Sequence, residues 1–187
     1  VTYSSSLAHV YWREPVHPLS FDEIREDPDR RALYYFLVAQ GGIGCVITRM
    51  LDGAHVESLQ GRALVMPVGE FEVQSGEDPL EHYAQTAVER REIARLAAMQ
   101  NAGDLILFGA YDAELDICVC FDDQIGAHGA MGGRQSWPFL LTPRGLVPED
   151  YEINDPLDLH ALFRRYTVEP ENPELRRSAE ERRTALS

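Results

Sequence analysis

Lysine is absent from these 187 residues, and all 17 basic side chains are arginine. Schiff-base catalysis and the Walker-type phosphate loop both need a lysine, so both are excluded. Positive charge is scarce as well: 31 acidic residues leave a net charge of −14. Sequence-independent nucleic-acid binding relies on clustered basic residues, so no nucleic acid is expected as a structural partner. The three cysteines, Cys45, Cys118 and Cys120, are too few for a disulfide framework. A C-x-C pair with no second cysteine or histidine pair nearby is not a zinc-ligand pattern. Buried free thiols in a reducing cytosol are the expectation, which implies a cytoplasmic protein. No window approaches the ~20 apolar residues of a membrane span. No basic start followed by an apolar block marks a signal peptide. The chain opens on valine rather than methionine, which suggests one part of a longer protein.

What is present reads as alternating strands and helices. Leu7 to Trp12 is strand-like, with Leu7, His9 and Tyr11 on one side and Ala8, Val10 and Trp12 on the other; Pro15 and Pro18 stop it. Ser20 and Glu23 have capping-box spacing, and Asp27-Pro28 suits a second helix start. In that helix Ala32, Leu33, Phe36 and Leu37 form the predicted buried stripe. Ile43–Met50 reads as a strand, Asp52-Gly53 as a hairpin turn, His55–Leu59 as the return, and Gly61–Met66 as a continuation. Glu70–Glu77 is polar and reads as a loop. Pro79–Ala84 and Thr86–Gln100 read as helix, with Val88, Ile93, Leu96 and Ala97 inward and Arg90, Arg91 and Arg95 solvated. Asp104–Ala110 is an apolar run of the kind buried on both faces. Leu115–Phe121 returns after a turn at Tyr111-Asp112, Pro138–Leu141 reads as a short strand, and Leu157–Tyr166 as a helix. The prediction is an α/β fold, a mixed sheet with flanking helices and a hairpin meander. Residues 1–168 form one domain or the C-terminal portion of a larger one, and 169–187 a charged, flexible tail.

The segment after Phe121-Asp122-Asp123 concentrates the chemistry. Gly126, Gly129, Gly132 and Gly133 fall within eight residues around His128. Glycine permits backbone shapes that a side chain forbids, so the loop is tightly prescribed. A histidine held there can ligate a metal, carry a proton, or serve as an ordinary loop residue.

The order of features resembles the C-terminal part of the alkaline phosphatase superfamily, on the side of type I phosphodiesterase/nucleotide pyrophosphatase-like proteins. The matching residues are Gly103-Asp104-Leu105-Ile106-Leu107 ending in Tyr111-Asp112, then Phe121-Asp122-Asp123, Gly126-Ala127-His128-Gly129 and Pro138-Phe139-Leu140-Leu141. The resemblance spans Leu7 to Leu162, and its G-x-H-G segment is the most specific part. It implies part of an alkaline-phosphatase-like fold in which His128 is similar to a ligand of one of two catalytic metals. Zinc is the expected metal, with manganese as the other choice, present only in the complete protein. Two divalent ions about 4 Å apart clamp the attacking and leaving oxygens of a phosphate ester.

The chain departs from that pattern. The family's nucleophilic Ser or Thr and most of its metal carboxylates precede this region, and no Asp-His dipeptide stands here. Asp52-Gly53-Ala54-His55 has a D-x-x-H spelling, but on a predicted hairpin. A catalytic zinc normally takes three protein ligands, so one histidine is insufficient. The expected function is therefore the C-terminal segment of a metal-dependent phosphodiester or nucleotide pyrophosphate hydrolase, inactive in isolation. The alternative is a non-catalytic binding or interaction module that keeps the superfamily fold. The expected partner is a phosphate-ester small molecule, and self-association is left open. Asp122 and Asp123 read as groups orienting a ligand ring or as a solvated strand end. Arg134 reads as a phosphate contact or a surface residue. His9 and His82 read as packing or surface residues, His160 as half-buried, and Trp12 and Trp137 as core or interface anchors.

Overall fold

The computed structural model describes residues 1–14, 17–123, 125–148 and 150–167. The predicted stop at Pro15 and the tail 169–187 lie outside the described residues. The chain divides into two compact units, Val1–Phe139 and Leu140–Ser187.

The first unit begins with β1 (Thr2–Ser4) and β2 (Leu7–Val10), followed by α1 (Phe21–Glu26) and α2 (Pro28–Val38). A meander follows: β3 (Ile43–Met50), β4 (Gly53–Glu57), β5 (Gly61–Val65) and β6 (Phe71–Gly76). Then come α3 (Ala87–Ala98), β7 (Leu105–Gly109) and a two-residue-per-strand hairpin of β8 (Tyr111–Asp112) and β9 (Ile117–Cys118). β1 to β7 form a seven-stranded sheet in the order β1-β2-β7-β3-β4-β5-β6. Every pairing in it is antiparallel.

Side-chain alternation along the strands builds two cores. On one face Ala8, Val46, Leu105 and Leu107 pack with Leu19, Phe21, Ile24, Tyr34 and Val38 from the α1–α2 side. On the other, Cys45, Ile47, Val56, Ile106 and Phe108 pack with Ile93, Ala94 and Ala97 of α3. β7 is buried along its whole length, as its apolar run predicted. The caps follow from local chemistry. Ser20 and Glu23 form the predicted capping box, and Asp27 accepts from the Asp29 and Arg30 N–H groups ahead of Pro28. Thr86 and Glu89 repeat the box on α3.

Several predicted features differ. Glu70–Glu77 is not a loop but contains β6, an edge strand exposed at nearly every position. Its polarity reflects an outer edge with little to bury. Pro79–Ala84 is turn rather than helix, with the Leu80 N–H held by Asp78 Oδ1 at 2.7 Å. α2 is rotated from the predicted stripe. Tyr34 and Val38 are buried with Leu37 partly covered, whereas Ala32 is exposed and Phe36 is 60% exposed. Tyr34 can occupy the buried face because its hydroxyl donates to Glu57 Oε2 at 2.7 Å. Arg90 is not simply solvated: it pairs with Asp78 at 2.7 Å and stacks over Phe71 at 3.7 Å. Cys45 is buried as expected, but Cys118 and Cys120 are only partly covered.

In the second unit, α4 (Pro156–Thr167) matches the predicted helix. Asp155 Oδ1 accepts from the Leu157 and Asp158 N–H groups, and Asp158 Oδ2 accepts from Asn154 and Asp155 N–H. This reciprocal cap satisfies donors the helix start leaves free. His160 is exposed rather than half-buried. Pro138–Leu141 forms no strand, and Phe139 and Leu141 stand in the open. Among the described residues, no helix is long and apolar enough to cross a membrane.

Candidate functional site

The site is assembled at the end of the sheet where β7 finishes and β3 begins. The β1–β2 turn, Ser5-Ser6, is wholly buried there, with Ser5 at φ +55°. The Ser6 carbonyl accepts from Gly109 N–H at 2.7 Å, and the Ser5 carbonyl from Phe121 N–H at 2.7 Å. These bonds tie the turn to the end of β7 and to the segment leaving β9.

The glycine-rich loop lies against the same turn. The His128 carbonyl accepts from Ser6 N–H at 2.9 Å and from Ser6 Oγ at 2.7 Å. The His128 N–H donates to Ser5 Oγ at 3.1 Å, and Ala130 N–H to Ser6 Oγ at 3.3 Å. Gly129 takes φ +97°, and a Cβ there would run into the Ser4 carbonyl oxygen. This close approach of two backbones requires glycine. The His128 residue itself is exposed.

Beyond Gly129, the chain folds back over the β8–β9 hairpin. Gln135 Nε2 donates to Cys118 Sγ at 3.1 Å and to the Met131 carbonyl at 3.1 Å. Gly132 takes φ +100°, and a Cβ there would collide with the His82 carbonyl oxygen while only touching the rings of Tyr83 and Tyr111. Those three residues also line a cleft of about 200 Å³ at the same end of the sheet, together with Glu77, Asp78 and Glu81. Tyr83 donates to the Gly109 carbonyl at 2.9 Å, and burial pushes its hydroxyl above the usual tyrosine range. Tyr111 donates to Asp116 Oδ1 at 2.9 Å, and that bond raises its hydroxyl too.

The structure separates the other predicted candidates. Arg134 pairs with Asp116 at 3.0 Å through a side chain that is 94% exposed, so it sits on the surface beside the hairpin. Asp122 is partly covered and Asp123 exposed. Asp52 occupies an exposed turn, whereas His55 is 2% exposed on the opposite sheet face, stacked on Phe21 with ring centres 3.8 Å apart. The D-x-x-H spelling therefore spans a hairpin. His9 is a packing residue whose Nδ1 accepts from Gly103 N–H at 2.9 Å. His82 is exposed at the cleft. Trp12 packs partly buried on the α1–α2 core, but Trp137 is 84% exposed and anchors no core.

Comparison of the chain with protein-family models, curated proteins and solved structures gives no match. Among the described residues, no group of three or more His, Cys, Asp or Glu side chains is placed to hold a metal ion. The site offers one presented imidazole, not a complete ligand set.

The sequence pointed to His128 but not to its supports. Ser4-Ser5-Ser6 carries no spacing signal, and the roles of Ser5 and Ser6 emerge only when the chain returns to them more than a hundred residues later. The buried group of Tyr34, His55 and Glu57 was missed for a similar reason. Tyr34 Oη lies 3.4 Å from His55 Nδ1, a contact made between a helix and a strand.

Proposed function

We propose that this chain supplies His128 as one ligand to the metal centre of a phosphoric ester hydrolase, acting on a phosphodiester or nucleotide pyrophosphate. The observation that carries the reading is an exposed imidazole on a glycine-rich loop whose main chain is hydrogen-bonded before and after the ring. That is the arrangement a ligand side chain needs: a fixed backbone and a free nitrogen. The G-x-H-G spelling and its place after Phe121-Asp122-Asp123 support the same reading, through the resemblance to the alkaline phosphatase superfamily.

A single donor fits such a centre only in part. The remaining ligands and the nucleophile belong to the complete protein outside these residues, and the metal is zinc or manganese. When bound, such a metal polarises the phosphoryl oxygen and steadies charge on the leaving group. The chain's own share is to hold the His128 backbone against the buried Ser5-Ser6 turn.

The test compares the complete protein with its His128→Ala variant, measuring bound zinc and manganese together with hydrolysis of a chromogenic phosphodiester. The expected result is loss of metal and of hydrolysis. Unchanged metal content with unchanged hydrolysis would overturn the proposal. The absence of a three-donor group among the described residues favours a second reading, a non-catalytic binding module. A complete protein without bound metal or ester hydrolysis would support that alternative.

A further inference from the structure

The outermost strand of the sheet, β6, pairs with β5 on one side and with no strand on the other. Every residue from Glu72 to Gly76 is exposed, and Val73 keeps 42% of its surface in solvent. The direction of its backbone groups follows from the inner pairing. Met66 N–H donates to the Glu70 carbonyl at 2.8 Å, and the register sets Val65 opposite Phe71, Leu64 opposite Glu72 and Ala63 opposite Val73. Antiparallel ladders alternate, so Glu70 and Glu72 bond inward to β5 while Phe71 and Val73 turn their N–H and C=O groups outward. Those outward groups are a template for one more strand. The register shifts beyond Val73, which keeps the template short.

The side chains of this edge alternate as well. Phe71 and Val73 lie on the α3 side, where Phe71 packs against the core beneath the Arg90 guanidinium. Glu70 and Glu72 lie on the other side, both exposed. Among the described residues, neither forms an ion pair. From Ala63 to Glu89 the chain carries six acidic residues and no arginine. A second copy of this strand is a poor occupant, because antiparallel β6–β6 pairing puts Glu72 on the same face as Glu70 and Glu72 of the other copy. A basic strand is favoured at the same positions, and the net charge of −14 steers it in.

We infer that the β6 edge docks an extended segment of another protein, one that alternates apolar and basic residues, as an added strand. Its apolar residues face Phe71 and Val73 and exchange main-chain hydrogen bonds with them, while its arginines or lysines face Glu70 and Glu72. The main chain supplies affinity and the alternation supplies selectivity. This surface is independent of the His128 reading.

The test uses the complete protein and a labelled, capped hexapeptide alternating valine and arginine, at about 150 mM ionic strength to screen general attraction. The expected result is binding by fluorescence anisotropy, with slowed hydrogen exchange at the Phe71 and Val73 amides. Methylating the valine nitrogens of the peptide keeps every charge but removes its ladder donors, and should weaken binding about tenfold or more. Glu72→Arg should weaken it about threefold or more. Val73→Pro removes one outward N–H at an edge position that tolerates proline, and should cost about fivefold. An acidic edge that serves only to repel other strands would bind no peptide, and that result overturns the proposal. A methylated peptide that binds as tightly as its parent, or Phe71 and Val73 amides that exchange at the same rate with peptide as without, would mark general attraction to an acidic surface and overturn it too. A complete protein whose own chain covers β6 would protect those amides without peptide, which also overturns it.

Discussion

Replacing Gly129 with alanine perturbs the site at a single atom. The backbone stands at φ +97°, outside the range that L side chains favour, and the new Cβ is directed at the Ser4 carbonyl oxygen. The conformational cost is about 1–2 kcal/mol. The collision can be relieved only if the loop lifts from the strand. Lifting loosens the Ser5 and Ser6 bonds to His128 and Ala130, each worth about 1 kcal/mol net. The expected destabilisation is therefore ~2–4 kcal/mol, limited by how far the loop can detach. Gly126 provides the internal control, since a Cβ there meets nothing within 4 Å and the residue does not hold a positive φ. Gly126→Ala should shift stability by less than about 0.5 kcal/mol. Urea denaturation of both variants, with hydrogen exchange at the His128 and Ala130 amides, reads both effects. The reasoning fails if Gly129→Ala matches Gly126→Ala in stability and leaves those two amides as protected as in the parent.

Other outcomes follow from the two cores. Burial holds the His55 ring down at about 4, helped by the positive charges of Arg62 and Arg25, while the Glu57 carboxylate at 4.0 Å opposes the shift. The unfolded chain takes up the proton first, so this stability is present above the unfolded value of about 6.5 and is lost as pH falls towards 4. The loss is at most ~3 kcal/mol. His9, also lowered by burial, acts with the same sign. Denaturation midpoints between pH 7 and 4 should fall more steeply in the parent than in His55→Gln; equal slopes would refute the assignment. Ile106→Ala, at a side chain 1% exposed in the α3-side core on an interior strand, should cost about 2–5 kcal/mol by urea denaturation. A cost below about 1 kcal/mol would contradict the packing described for β7.

How far the sequence could be read depended on where each signal was written. The β3–β4–β5 meander was legible because alternation, the Asp52-Gly53 turn and β-branched residues agree over one continuous stretch. The Ser20–Glu23 cap was equally local. β6 was not legible, since an edge strand exposed at nearly every position has no apolar alternation to betray it. The β7 run announced burial on both faces but not its pairing. Helices on each side of an antiparallel sheet produce the same apolar pattern as a parallel strand. In α2, the partners of Tyr34 decided which face turned inward, and those partners lie on β4. His128 could be singled out because glycines surround it in sequence. Its anchors could not, because Ser5 and Ser6 reach it only through the fold.

The most direct measurement is the ring-nitrogen NMR spectrum of the complete protein, labelled with 15N at its histidines, recorded with and without zinc. The account predicts that the His128 ring signal, assigned by its disappearance in His128→Ala, moves to a metal-bound position when zinc is present. A His128 ring signal that stays in the same place with and without zinc would contradict it.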